Sequence, residues 1–87
     1  MERSSRVEFT RHALGKFELL RGYGFHIERK DVVDAVLHPE RLDERGNQLV
    51  ASKAMSSTMA LRVVYEDRKD YLAVITFYPV RRERYGV

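Results

Sequence analysis

The sequence predicts an α+β domain, with two N-terminal helices packed on a small twisted antiparallel sheet of three to four strands. Three observations lead there. Two stretches before residue 38 carry apolar residues at helical spacing. After Pro39 the pattern changes to alternation, broken by short polar turns. With 87 residues, the chain has length for one modest core, so the helices and the strands must share it.

Taken in order, Val7-Glu8-Phe9 alternates and reads as a short first strand. Thr10 follows as an N-cap, because its hydroxyl can accept from a free amide of the first turn. The first helix then runs to about Arg21, with Ala13, Leu14, Phe17, Leu20 and the stem of Arg21 as its buried stripe. Gly22-Tyr23-Gly24 stops it. A second helix is expected over about Arg29 to Leu37, with Glu28 as N-cap, Asp31 favourably placed in the first turn, and Val32, Ala35 and Val36 facing inward. His38-Pro39 ends it, since the residue before proline is pushed out of the helical region.

Glu40 to Asp43 reads as a strand, Arg45-Gly46-Asn47 as a turn, and Gln48 to Lys53 as the next strand. Ala54 to Thr58 is expected to be a flexible connection. The most informative stretch follows. Leu61 to Glu66 alternates, with Leu61, Val63 and Tyr65 on one face and Arg62, Val64 and Glu66 on the other. Asp67 to Asp70 suits a hairpin loop, and Tyr71 to Tyr78 is apolar on both faces, as in a central strand. The alternation puts Leu72, Val74 and Thr76 on one side, and Ala73, Ile75 and Phe77 on the other. Pro79 has no N–H for a ladder, so the strand is expected to end at Tyr78. Arg81, Arg82, Arg84 and Tyr85 come just beyond it, with Glu83 among them.

The composition narrows the function classes. Hydrophobic residues make up 44% and charged residues 33%, a globular balance. No apolar run approaches the roughly 20 residues that span a bilayer, and the N-terminus is polar, so no membrane partner and a cytoplasmic location are expected. Without cysteine, thiolate metal sites and disulfides are excluded. No set of histidines and carboxylates has ligand spacing, and no glycine-rich phosphate loop is present, so neither a metal nor a cofactor is expected. The formal charge of +3 is compatible with a polyanion, and arginine heavily outnumbers lysine.

Several motifs occur in a familiar order: Thr10-Arg11-His12-Ala13; Gly24 to Ile27; Asp31-Val32; Ala35-Val36; His38-Pro39-Glu40; Leu61-Arg62-Val63-Val64-Tyr65; Val74 to Pro79; and Arg82-Glu83-Arg84-Tyr85. From about Phe9 to Tyr85 the chain resembles a family of small prokaryotic domains related to the BrnT toxins, in the RelE/ParE-like toxin superfamily. The resemblance implies a RelE-like α+β fold and membership of a toxin–antitoxin pair. It implies RNA or the ribosome as target, metal-free RNA cleavage as the activity, and an acidic antitoxin as partner; other relatives act on gyrase. Lys16, Lys30, Lys53 and Lys69 are scattered, unlike the lysine cluster of some RelE-type nucleases.

Metal-free cleavage needs a proton-transfer group, a cation to stabilise the phosphorane, and an acid for the leaving oxygen. His12 is the proton-transfer candidate because its ordinary pKa lies near neutrality. Arg62 is the candidate cation, and Tyr78 completes the catalytic set as a group able to donate to phosphate. Arg81, Arg82, Arg84 and Tyr85 are the candidate nucleic-acid contacts, the arginines for phosphate and the tyrosine for stacking on bases. The alternative is a non-catalytic module that receives an acidic antitoxin-type segment on its sheet edge or basic tail. A small domain with an open sheet face is also a candidate homodimer.

Overall fold

The period of the apolar residues changes from helical to alternating at Pro39, and the fold divides there. The computed structural model describes residues 6–87. The elements are β1 (Val7–Phe9), α1 (Arg11–Gly22), α2 (Arg29–Leu37), β2 (Arg41–Arg45), β3 (Gln48–Ala54), β4 (Met59–Asp67) and β5 (Leu72–Arg81), then a single 3-10 turn, Arg82–Arg84. The sheet order is β1-β5-β4-β3-β2.

The class is α+β with two helices, as expected, but the sheet is not the expected antiparallel one of three to four strands. It has five strands and is mixed, because β1 pairs parallel with β5. A parallel neighbour needs a crossover. Here everything between Phe9 and Leu72 supplies it, so no local pattern announces the pairing.

The helices start and stop for local reasons. The Thr10 hydroxyl accepts from the Ala13 N–H at 3.2 Å, capping α1, and donates to the Val74 carbonyl at 3.0 Å, tying the cap to β5. Gly24, at φ +91°, turns the chain away after α1. At the start of α2 the Glu28 N–H donates to Asp31 Oδ2 at 2.9 Å, so the helix is closed from inside its first turn.

Both helices pack on one face of the sheet. Ala13 and Leu20 of α1 and Val32, Ala35 and Val36 of α2 meet Ala51, Leu61, Val63, Tyr65, Leu72, Val74 and Phe77. The rings of Phe9, Phe17 and Phe77 form a tilted chain, with centroids 5.7 and 4.6 Å apart, that pins α1 over β1 and β5. Leu14 and Arg21 do not join the buried stripe expected of them. Leu14 is 40% exposed and Arg21 lies in solvent, because α1 sits at the side of the core and only a narrow stripe touches the sheet.

Two departures in β5 set the geometry of the other face. The register slips between Val64 and Tyr65: Val64 pairs with Thr76 but Tyr65 with Val74, leaving Ile75 as the extra residue of a bulge. Simple alternation fails at that point. Phe77 joins Leu72 and Val74 on the helix side, and Thr76 does not. Pro79 does not end the strand, which continues to Arg81. The pairing of β1 stops at Val74, so from there on the outer side of β5 has no strand neighbour among the described residues. A missing N–H facing that side costs no ladder bond.

The loops are short. Gly46 takes φ +65° at the first position of the two-residue turn between β2 and β3, the place where a primed turn needs glycine. The stretch expected to be a flexible connection is a closed four-residue hairpin loop. Met55 and Ser56 N–H groups donate to the Met59 carbonyl at 2.9 and 3.1 Å, and Ser56 Oγ accepts from the Met59 N–H at 3.0 Å. No helix among the described residues is long and apolar enough to cross a membrane.

Candidate functional site

The helices cover one face of the sheet, so the residues that alternate with the core residues project from the other. The register places Arg41, Ser52, Arg62 and Tyr78 in a single row across β2, β3, β4 and β5 on this open face. Arg62 stands at its middle, on the central strand.

Arg62 is only 4% exposed, yet no carboxylate pairs with it among the described residues, and its Nε has no hydrogen-bond partner. Its cross-strand neighbour Ser52 is fully buried, and that hydroxyl also has no partner. The acids nearby are already committed. Asp43 pairs with Arg41 at 3.0 Å, and Glu66 binds Arg68 at 3.0 Å and Gln48 at 3.3 Å. The Arg68 hydrogen bond, with that of Gln48, holds the Glu66 carboxyl below its ordinary range.

What covers Arg62 is the C-terminal segment. The Tyr85 ring lies over the guanidinium at 4.2 Å from its centroid. Arg41 Nη1 donates to the Tyr85 carbonyl at 3.0 Å. Arg82 anchors the segment: its N–H donates to Thr58 O at 2.9 Å, its Nη1 to Ser56 O at 2.9 Å and its Nε to Val87 O at 2.8 Å.

The magnitudes show what is left uncompensated. Taking an ion out of water costs several kcal/mol even after relaxation. A desolvated cation–π contact returns about 2 kcal/mol, and each buried donor or acceptor without a partner costs about 1–3 kcal/mol. Tyr85 therefore offsets only part of the burial of Arg62. An anion reaching Nε and the Ser52 hydroxyl would supply the remainder.

The sequence-derived candidates separate into groups. Arg62, Tyr78 and Tyr85 come together on the open face. Arg81 and Arg84 line a recess of about 290 Å³ beside the outer edge of β5, with Pro79, Val80 and Tyr85. Arg82 holds the chain rather than facing outward. His12 is not brought to Arg62. It is exposed at the start of α1, the helix that packs on the opposite face, and its ring makes no hydrogen bond or ion pair among the described residues. Tyr65, which shares a face of β4 with Leu61 and Val63, is fully buried in the core.

Sequence reasoning missed Ser52 and Arg41. The signal was available: the hairpin between β3 and β4 fixes which residue faces Arg62, and alternation through β2 fixes the next. A larger recess of about 440 Å³ lies on the helix side, between α2 and the β3–β4 loop. Asp31 and Asp34 both line it, together with His26. Lys53 binds Asp34 there at 2.6 Å, a hydrogen bond that holds the Asp34 carboxyl below its ordinary value. Among the described residues no three histidines or carboxylates cluster as metal ligands.

Comparison of the chain with protein-family models, curated proteins and solved structures finds no match in any of the three. The resemblance to BrnT and RelE toxins rests on the motifs alone.

Proposed function

We propose that this is a toxin-superfamily domain that binds single-stranded RNA across the open face of its sheet. One observation carries the reading: a buried guanidinium at the centre of that face, without a carboxylate partner among the described residues and flanked by Tyr78 and Tyr85. Arginine with aromatic neighbours is the combination that takes a phosphate and the bases beside it. Arg81 and Arg84 extend the positive surface along the edge of β5. The reading is binding first. Cleavage needs a proton-transfer group at the phosphate, and the open-face row supplies guanidinium, hydroxyl and phenol but no imidazole.

The test is binding of a labelled single-stranded oligoribonucleotide in EDTA, over a range of salt, with and without ribosomes. Wild type is expected to bind with an affinity that falls as salt rises. Arg62→Met is expected to weaken binding about 10- to 100-fold, the loss of one charge-assisted contact of about 1.5–3 kcal/mol. Undiminished binding by a folded Arg62→Met variant would reject the open face. Strand scission that disappears in His12→Ala would restore the catalytic role of His12.

A second reading is favoured by the outer edge of β5, where no strand pairs beyond Val74 among the described residues. An extended acidic segment of an antitoxin-type partner could add there as a strand, beside Arg81 and Arg84. An acidic peptide that binds but does not compete with RNA would place the two ligands on different surfaces.

A further inference from the structure

We infer that Arg62 and Ser52 form a buried seat for one phosphate group, and that the C-terminal segment from Arg82 to Val87 is its displaceable cover. The inference rests on the RNA reading for the source of the phosphate, a phosphodiester of the bound strand.

Two independent observations carry it. The first is the pair of unsatisfied groups. Ser52 and Arg62 are direct cross-strand partners on one face, which places their Cβ atoms about 4.5–5.5 Å apart. Among the described residues Arg62 Nε and Ser52 Oγ are both shut away from solvent and both without a partner, and they do not bond each other. A free Nε–H leaves one edge of the guanidinium fork open, the edge that binds two phosphate oxygens side by side. A serine hydroxyl beside that edge supplies a third donor. A carboxylate from the protein would have quenched the site, and the acids of this face are held by other residues.

The second is the way the seat is closed. No residue from Arg82 to Val87 is buried. The segment is held by the Tyr85 stack, by one bond from the exposed Arg41, and by Arg82 at the loop before β4. Only the first two lie over the seat. Tyr85 covers the guanidinium as a stacked base would, so a nucleotide can replace the ring by the same type of contact while its phosphate reaches the fork. Arg82 can keep the root of the segment in place as Tyr85 swings away.

The test follows the Nε–H signal of Arg62 by NMR in the full chain while inorganic phosphate replaces chloride at constant ionic strength. A saturable shift of that signal is expected. Tyr85→Ala is expected to lower the half-saturating phosphate concentration about fivefold or more, since the competing stack is gone. Tyr85→Leu, which keeps an apolar side chain but removes the stacked ring, is expected to act in the same direction and serves if Tyr85→Ala does not fold. Ser52→Ala is expected to raise the half-saturating concentration about fivefold, one hydrogen bond's worth. Arg62→Lys keeps the charge but loses both the fork and the Nε–H reporter, so the backbone N–H of Ser52 is followed instead, and the half-saturating concentration is expected to rise at least about tenfold. A silent Arg62 signal in wild type and in both uncovering variants would overturn the seat, even with RNA bound elsewhere on the surface. A shift with phosphate in a protein that binds no RNA would establish the seat and reject the RNA reading.

Discussion

The two faces of the central strand β4 are about equally buried, and by different means. On the helix side Leu61, Val63 and Tyr65 are 0–1% exposed within a cluster of apolar residues. On the other side Arg62 is 4% exposed, beside a serine without a partner and under a short segment none of whose residues is buried. Packing explains the burial on the first face, and that of Val50 and Val64 on the second, but leaves the burial of Arg62 and Ser52 uncompensated. Stability is therefore expected to reside on the helix side, and binding on the side where stability has been given up.

The largest effect belongs to the packed face. Phe77 ends the aromatic chain that runs from Phe9 through Phe17, and it is fully buried. Phe77→Ala is expected to cost about 3–5 kcal/mol in denaturant unfolding. A cost below about 2 kcal/mol would mean the helix side is loosely packed, and the contrast between the faces would fail.

Next comes the equivalent change on the open face, where the sign reverses. Replacing all the members of a buried ionic group by well-packed apolar side chains is often neutral or stabilising by about 1–4 kcal/mol, and replacing Arg62 leaves no ionic partner behind among the described residues. Arg62→Met keeps contact with the Tyr85 ring through its thioether. Its midpoint of unfolding is expected to equal or exceed that of wild type, while RNA affinity falls. A loss of more than about 2 kcal/mol would show that the guanidinium is already satisfied in the folded protein, and would remove the reason to expect an anion there.

Adjacent residues of β3 sharpen the comparison. Ala51 and Ser52 are both fully buried, one on each face. Ala51→Ser puts a hydroxyl into the apolar core and is expected to cost about 1–3 kcal/mol. Ser52→Ala removes a hydroxyl that has no partner, and is expected to leave stability unchanged or raise it by about 1 kcal/mol. Equal costs for the two substitutions would mean that the open face is organised like a core.

How far this division was legible in the sequence follows from the range of each interaction. The helices were readable because caps and apolar spacing are local: Thr10, Glu28 and His38-Pro39 bound them where the structure does. The β2–β3 and β4–β5 hairpins were readable for the same reason, whereas the loop between β3 and β4 reads as a flexible connection. The fifth strand was not, because β1 pairs with a segment 65 residues away and three residues of alternation do not say with what. The bulge at Ile75 was hidden, since one extra residue inverts a phase without changing the composition. Arg62 was correctly set opposite Leu61 and Val63, but the side taken by the helices was not encoded locally, so His12 and Arg62 were grouped when they lie on different faces. Ser52 was missed because only the register of the β3–β4 hairpin marks it. Its significance comes only from lying opposite Arg62.

The smallest effect concerns charge, and it separates a matched pair from an unmatched one. On the helix side Asp34 is bonded to Lys53, and that bond lowers its pKa from the ordinary value. A carboxylate whose folded pKa is depressed adds stability above the unfolded pKa, and the contribution is lost as pH falls through the folded value. Both groups are substantially exposed, so solvent screening keeps the effect small. Asp34→Asn is expected to lower stability slightly at neutral pH and to reduce the loss of stability on acidification. Arg62 has no carboxylate among the described residues to hold down, so Arg62→Met is expected to leave the acid limb of the stability curve parallel to that of wild type. The measurement is the unfolding midpoint between about pH 2 and pH 7, spanning the ordinary carboxylate range. If Arg62→Met also flattens the acid limb, a carboxylate is bound to that guanidinium in solution. The seat beneath Tyr85 would then already be filled from within the chain, and the open face would have no need of a ligand.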